Sequence, residues 1–117
     1  LDSGPTPYDF LAAALGACTT MTLRMYADHK KLTLGKVSVE VSHGKVDAAH
    51  CEDCGDVAEG RSGRVDRIER VISVDGEVSA ELGEKLVEIA GKCPVHRTLE
   101  AGSAVVTRLA PAGDART

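Results

Sequence analysis

"AALGACTTMTLRMYA", residues 13–27, sets one cysteine in the middle of a run that is apolar almost all round. Leu11, Ala14, Leu15, Cys18, Thr22 and Met25 recur at i, i+3, i+4 and i+7, the spacing of one helical face. Apolar residues on the other faces too, as far as Leu23, predict a helix buried on more than one side. Just upstream, "SGPTPYDF" (residues 3–10) supplies the start. Thr6 is the cap, Pro7 sits where its missing N–H costs nothing, and Asp9 lies near the positive end of the helix dipole. Lys30 and Lys31 close the other end. This is the expected central helix, and its cysteine poses a choice. Cys18 is either an inert core thiol, as buried free cysteines commonly are, or half of a redox pair with Cys93 in "AGKCPVHRTLE" (residues 90–100).

Further out, "KVSVEVSHG" (residues 36–44) alternates, with Val37, Val39 and Val41 on one face and Lys36, Ser38 and Glu40 on the other. "RVDRIERVISVDG" (residues 64–76) continues in kind, Ile68, Ile72 and Val74 facing inward with Arg70 as the one polar residue in phase with them. The two make an antiparallel pair joined by a long polar loop. "SAELGEKLVEIAGKC" (residues 79–93) is a second helix, capped by Ser79, with Leu82, Leu86, Ile89 and Ala90 as its stripe and Gly91 as its stop. "CPVHRTLEAG" restarts as a short turn or helix, and "SAVVTRL" (residues 103–109) reads as a last strand. The expected order is α-β-β-α-β, an α+β domain with two helices against an antiparallel sheet. One domain spans residues 1–110, and residues 111–117 form a flexible tail.

Composition narrows the function. A chain of 117 residues suits one domain, and 43% hydrophobic with 27% charged residues is ordinary for a globular one. With 3% aromatics the core must be aliphatic. The longest apolar run, "FLAAALGAC", falls far short of the roughly 20 residues of a membrane span, and no basic segment precedes it as in a secretory signal. The expectation is therefore a cytoplasmic protein with no membrane partner. The densest basic stretch, "RSGRVDRIER", has acids interleaved within a net charge of −4, so no nucleic-acid partner is expected. Cysteines in a reducing compartment tend to be catalytic, redox-sensing or metal-binding. The chain reaches a helix start within a few residues of its first position, so elements preceding it are expected to be missing, as in a piece of a longer protein.

A peroxide-reducing thiol needs a thiolate, an apolar pocket, and a second thiol to capture the sulfenic acid before over-oxidation. Cys18 on the inner face of the first helix and Cys93 just past the second could meet on one face of the sheet. Periodicity alone leaves burial and pairing both open.

The wording of the two stretches goes further. "GPTPYDFLAAALGACTTMTLRMYA" followed by "KCPVHRTLE" resembles the OsmC/Ohr family of thiol-dependent peroxidases, closest to the OsmC-like subgroup also found fused behind an α/β-hydrolase. The resemblance runs from about Gly4 to Leu109. It implies an intertwined homodimer with active sites at the subunit interface. It implies Cys18 as the peroxidatic and Cys93 as the resolving cysteine, a small organic hydroperoxide or hydrogen peroxide as substrate, and an external dithiol as reductant. No cofactor is implied. Two departures stand out. The arginine that pairs with the thiolate in that family belongs to N-terminal strands lying before this sequence starts. The partner glutamate's place, after the helix-starting proline, holds Tyr8. Asp9 is the substitute nearest to hand, though one residue corresponds to about 100° of helical rotation. His96 and Arg97 could bring positive charge to Cys93 if their turn is helical, whereas Arg24 falls on the wrong side of its helix and is expected in solvent.

A second cluster lies in "AHCEDCGD" (residues 49–56): His50, Cys51 and Cys54. A C-x2-C is half of many zinc sites, but a closed site needs four ligands and no second half exists. It is also a redox motif, usually within a thioredoxin-like βαβ unit that is absent here. The cluster is thus a plain loop, a zinc site or a redox pair. The alternatives to a peroxidase are a redox-responsive accessory or dimerisation domain with little turnover, and a metal-binding module centred on Cys51 and Cys54.

Overall fold

Thr6 and Asp9 cap each other's backbone: the Thr6 hydroxyl accepts from the Asp9 N–H, and the Asp9 carboxylate accepts from the Thr6 N–H at 2.8 Å. This capping box, with Pro7 in the first turn, starts helix α1, Pro7–His29. The structure is a computed structural model describing residues 4–59 and 62–111. Strand β1, Val37–Asp47, follows, and after a loop carrying two 3-10 turns (Ala48–His50 and Gly55–Val57) comes β2, Arg64–Val74. Helix α2, Ala80–Ala90, and helix α3, Pro94–Ala101, complete the order.

β1 and β2 pair antiparallel in a single register from Val37 opposite Val74 to Asp47 opposite Arg64. Period-2 alternation places Val37, Val39, Ile72 and Val74 on the face that meets the helices, as the sequence predicts. There Leu23, Val37, Leu86, Ile89 and Ala90 form the buried core, flanked by Tyr26, Leu34, Val78 and Leu82. Ser79 caps α2 by accepting from the Leu82 N–H, and Gly91 ends it. Gly35, at the entry to β1, lies so close to the Asp75 backbone carbonyl that a Cβ would collide with it.

Two expectations change, the buried face of α1 and the last strand. The face that α1 buries is Leu15, Thr19, Leu23 and Ala27, a spacing of four, rather than the stripe through Leu11, Ala14 and Met25. Because the helix is apolar all round, its own sequence selects no face; the sheet and α2 do. Met25 remains 69% exposed. The last strand is not formed. Residues 103–109 run without regular structure and pair with neither strand, with Val105, Val106 and Leu109 in the open. A third helix, α3, forms where a turn or helix was expected, so the order is α-β-β-α-α. The expected tail lies almost wholly outside the described residues.

Among the described residues no helix is long and apolar enough to cross a membrane. The radius of gyration, 18.0 Å, exceeds the roughly 13 Å of a compact chain of this length.

Gly35→Ala should lower the urea midpoint, by about 1–3 kcal/mol of stability, because the new methyl must displace backbone. Gly44→Ala, where a Cβ meets nothing within 4 Å, should change stability by less than about 0.5 kcal/mol. Equal effects would refute the close approach.

Candidate active site

Cys93 precedes proline, and the ring of Pro94 disfavours a helical conformation at the residue before it. Cys93 is accordingly extended, at φ −59° and ψ 134°, which separates α2 from α3 and makes Cys93 the cap of the new helix. Its Sγ accepts from the His96 N–H at 3.5 Å. The residue is completely enclosed, at 0% exposure. Packing of α1 against α3 brings it to Cys18, which is half-buried, and neither cysteine is in a disulfide.

The cation beside the pair is Arg70. Its guanidinium donates from Nη1 to the Thr19 hydroxyl at 3.1 Å and to the Ala90 carbonyl at 3.2 Å, and from Nη2 to His96 Nδ1 at 2.8 Å. Thr19 adjoins Cys18 in sequence, while Ala90 and His96 bracket Cys93. One side chain therefore ties together β2, α1 and the α2–α3 junction. Arginine can only donate, so His96 Nδ1 accepts and the ring proton sits on Nε2. That nitrogen faces Glu100 Oε1 at 3.3 Å. Thr19, fully buried, donates its hydroxyl proton to the Leu15 carbonyl at 2.6 Å while accepting from Arg70.

The two thiols divide one charge unequally. Burial pushes the Cys18 thiol up, and the facing Cys93 pushes it further; a Val95 backbone N–H and Thr22 oppose this only in part. Burial acts on Cys93 in the same direction, but the Cys18 thiol, the N–H groups of His96 and Val95 and the Arg70 charge outweigh it and bring Cys93 below the usual thiol range. The first proton lost by the pair thus leaves its charge mainly on Cys93.

The remaining candidates are placed as follows. The Asp9 carboxylate is engaged in its cap. Tyr8 stacks on His43, with ring centroids 4.2 Å apart, and His43 Nε2 lies 2.9 Å from Asp66. Arg97 is exposed, and Arg70 is the cation at the thiols. Arg24 is tied to the protein, donating to the carbonyls of Leu34 and Gly35 at 3.4 and 2.8 Å, contrary to the expectation of a solvated side chain. In the sequence Arg70 is marked only as the charged residue between Ile68 and Ile72 on the apolar face of β2.

Cys51 and Cys54 are joined by a disulfide, with Cα atoms 5.5 Å apart. The atoms of Cys51, Cys54 and Asp53 that could serve as ligands lie within 4.8 Å of one another, and His50 is not among them; its Nδ1 faces Asp47 at 3.3 Å. Asp53 is itself held by Arg67, and that charge keeps its carboxyl below the usual range. Three ligands are one short of a closed zinc site, and a disulfide supplies no thiolate.

Fold and site together are those of an α+β domain built around two facing thiols. A family model described as OsmC-like protein matches residues 1–108, and the chain belongs to that family. Among solved structures it is similar to an osmotic stress induced and detoxification response protein from Psychrobacter arcticus 273-4 (17% identity, TM-score 0.60, covering 83% of this chain and 61% of that one). It is also similar to an organic hydroperoxide resistance protein OsmC from Legionella pneumophila (21%, TM-score 0.61, 83% and 63%). A third is an OsmC-like protein from Mycoplasma pneumoniae (23%, TM-score 0.53, 84% and 64%). At these identities the likeness is one of fold, and the chain spans a little under two thirds of each neighbour's length. No curated protein matches it.

With Cys51–Cys54 oxidised, ultraviolet thiolate absorbance should titrate in two steps, one below and one above the ordinary cysteine pKa, belonging to the pair as a unit. Arg70→Met removes a positive charge that favours the thiolate, so the lower step should move up. An unmoved step would show that Arg70 does not act on the thiols.

Proposed function

We propose that this chain is a thiol-dependent peroxidase of the cytoplasm, reducing a small organic hydroperoxide or hydrogen peroxide at Cys18 and resolving the product with Cys93. The observation that carries the reading is the half-buried Cys18 thiol facing an enclosed Cys93 thiol beneath the Arg70 guanidinium. Cys18 is assigned as the attacking sulfur because it is the one with a surface a peroxide can reach; Cys93 has none. The family resemblance assigns the roles in the same way.

The charge, resting mainly on Cys93, passes to Cys18 when the shared proton moves between the sulfurs. The Cys18 thiolate attacks the distal oxygen of the peroxide, the O–O bond breaks, and the alkoxide takes the Cys93 proton to leave as alcohol. Cys18 is then a sulfenic acid and Cys93 a thiolate. Attack of Cys93 on Cys18 sulfur forms the disulfide and expels hydroxide, which takes a proton from solvent to become water. An external dithiol returns two electrons and two protons by thiol–disulfide exchange.

The functional unit in this reading is a homodimer. Phe10, Met21 and Met25 on α1, and Val105, Val106 and Leu109 beyond α3, leave more apolar surface open than a monomer ordinarily keeps. A two-stranded sheet is also marginal by itself and retains open edges. A second copy would cover both.

Cys18→Ser should abolish hydroperoxide consumption. Cys93→Ser should consume about one equivalent and stop as a sulfenic acid that dimedone labels at Cys18. Full turnover by Cys18→Ser protein would sink the assignment. Sedimentation should give about twice the 12.2 kDa chain mass, and a monomer at micromolar concentration would remove the dimer.

A further inference from the structure

The Cys51–Cys54 disulfide has no part in the cycle above, and its surroundings suggest one. Both cysteines are half-buried rather than sealed in a core, so the bond is accessible to exchange. Cys54 and Asp53 line a cavity of about 520 Å³. The same cavity is lined by Arg70, Ala90 and His96, which are bonded together around the α2–α3 junction that carries Cys93. One space therefore reaches from the loop disulfide to the shell of the reacting pair. The loop is anchored across it by the Asp53–Arg67 ion pair, which is exposed to solvent. Its backbone passes through left-handed glycines at Gly55 (φ 61°) and Gly63 (φ 89°), residues that permit a change of course at low cost.

We propose that Cys51 and Cys54 form a second redox couple that passes reducing equivalents through this cavity to the Cys18–Cys93 disulfide. In the reduced loop the Cys54 thiolate attacks one sulfur of the Cys18–Cys93 disulfide, forming a mixed disulfide and releasing the other sulfur as a thiolate. The Cys51 thiolate then attacks Cys54, closes the loop disulfide and releases the second sulfur. Two electrons move from one pair to the other, and the two protons lost by the loop thiols are matched by two gained at Cys18 and Cys93. An external dithiol reduces the loop disulfide and becomes a disulfide itself. The enclosed Cys93 sulfur then never has to meet a bulky reductant. Disulfides of reducing compartments are typically transient ones of this kind. The proposal rests on the peroxidase reading, which supplies the Cys18–Cys93 disulfide.

The test has two arms. Fully reduced protein, freed of reductant, receives one equivalent of tert-butyl hydroperoxide and is peptide-mapped over time. A Cys18–Cys93 linkage should appear first and decline as Cys51–Cys54 accumulates, at a rate independent of protein concentration. The loop should stay reduced in Cys18→Ser protein. A persistent Cys18–Cys93 linkage beside free loop thiols overturns the relay, as does loop oxidation that is equally fast in Cys18→Ser. The second arm needs no peroxidase chemistry. Diamide is added to Cys18→Ser/Cys51→Ser protein, which retains Cys54 and Cys93, and to Cys51→Ser/Cys93→Ser protein, which retains Cys18 and Cys54. At least one should form an intrachain disulfide in high yield. Failure of both overturns the relay. A linkage here, with no Cys18 oxidation by hydroperoxide in wild-type protein, would instead fault the peroxidase reading and leave the loop couple standing.

Discussion

A guanidinium brought inside a small domain must find acceptors, because burying an unpaired charge costs far more than the packing around it returns. Arg70 finds three: the Thr19 hydroxyl, the Ala90 carbonyl and His96 Nδ1. These belong to α1, to the end of α2 and to α3, so satisfying one side chain fixes three helices against β2. The Thr19 hydroxyl is drawn in with it, and among the described residues no buried side-chain nitrogen or oxygen lacks a partner. The two cysteines are carried by the elements that Arg70 joins, so their approach follows from the same constraint.

The electrostatics of the pair follow from that arrangement. Enclosure by itself would raise both thiols, and does raise Cys18. Cys93 escapes because the Cys18 thiol bonds to it, because it caps a helix whose His96 and Val95 N–H groups favour its charge, and because Arg70 stands near. The result is one thiol with surface and one whose proton leaves more readily.

The periphery is less settled than the centre. α1 uses one face of a helix that is apolar on all of them, and the residues after α3 lie in the open with their valines exposed. The loop carrying Cys51 and Cys54 is held differently, by the surface ion pair of Asp53 with Arg67. Pairs of this kind are screened by salt and yield more readily than a packed core.

Much of the secondary structure was legible in local sequence, because its causes act over a few residues. Thr6, Pro7 and Asp9 make a helix start by bonding within one turn. Alternating valines make a half-buried strand, and Cys-Pro interrupts a helix through a clash between neighbours. Tertiary structure alone decided which face of α1 is buried, since a helix apolar all round holds no preference of its own. It brought Arg70, visible only as a break in an apolar phase, to Thr19, Ala90 and His96 and left Arg97 exposed. It also opened the cavity between the Cys51–Cys54 loop and the Cys93 shell. These outcomes depend on which distant groups arrive at the same place, and no pattern within a single element encodes that.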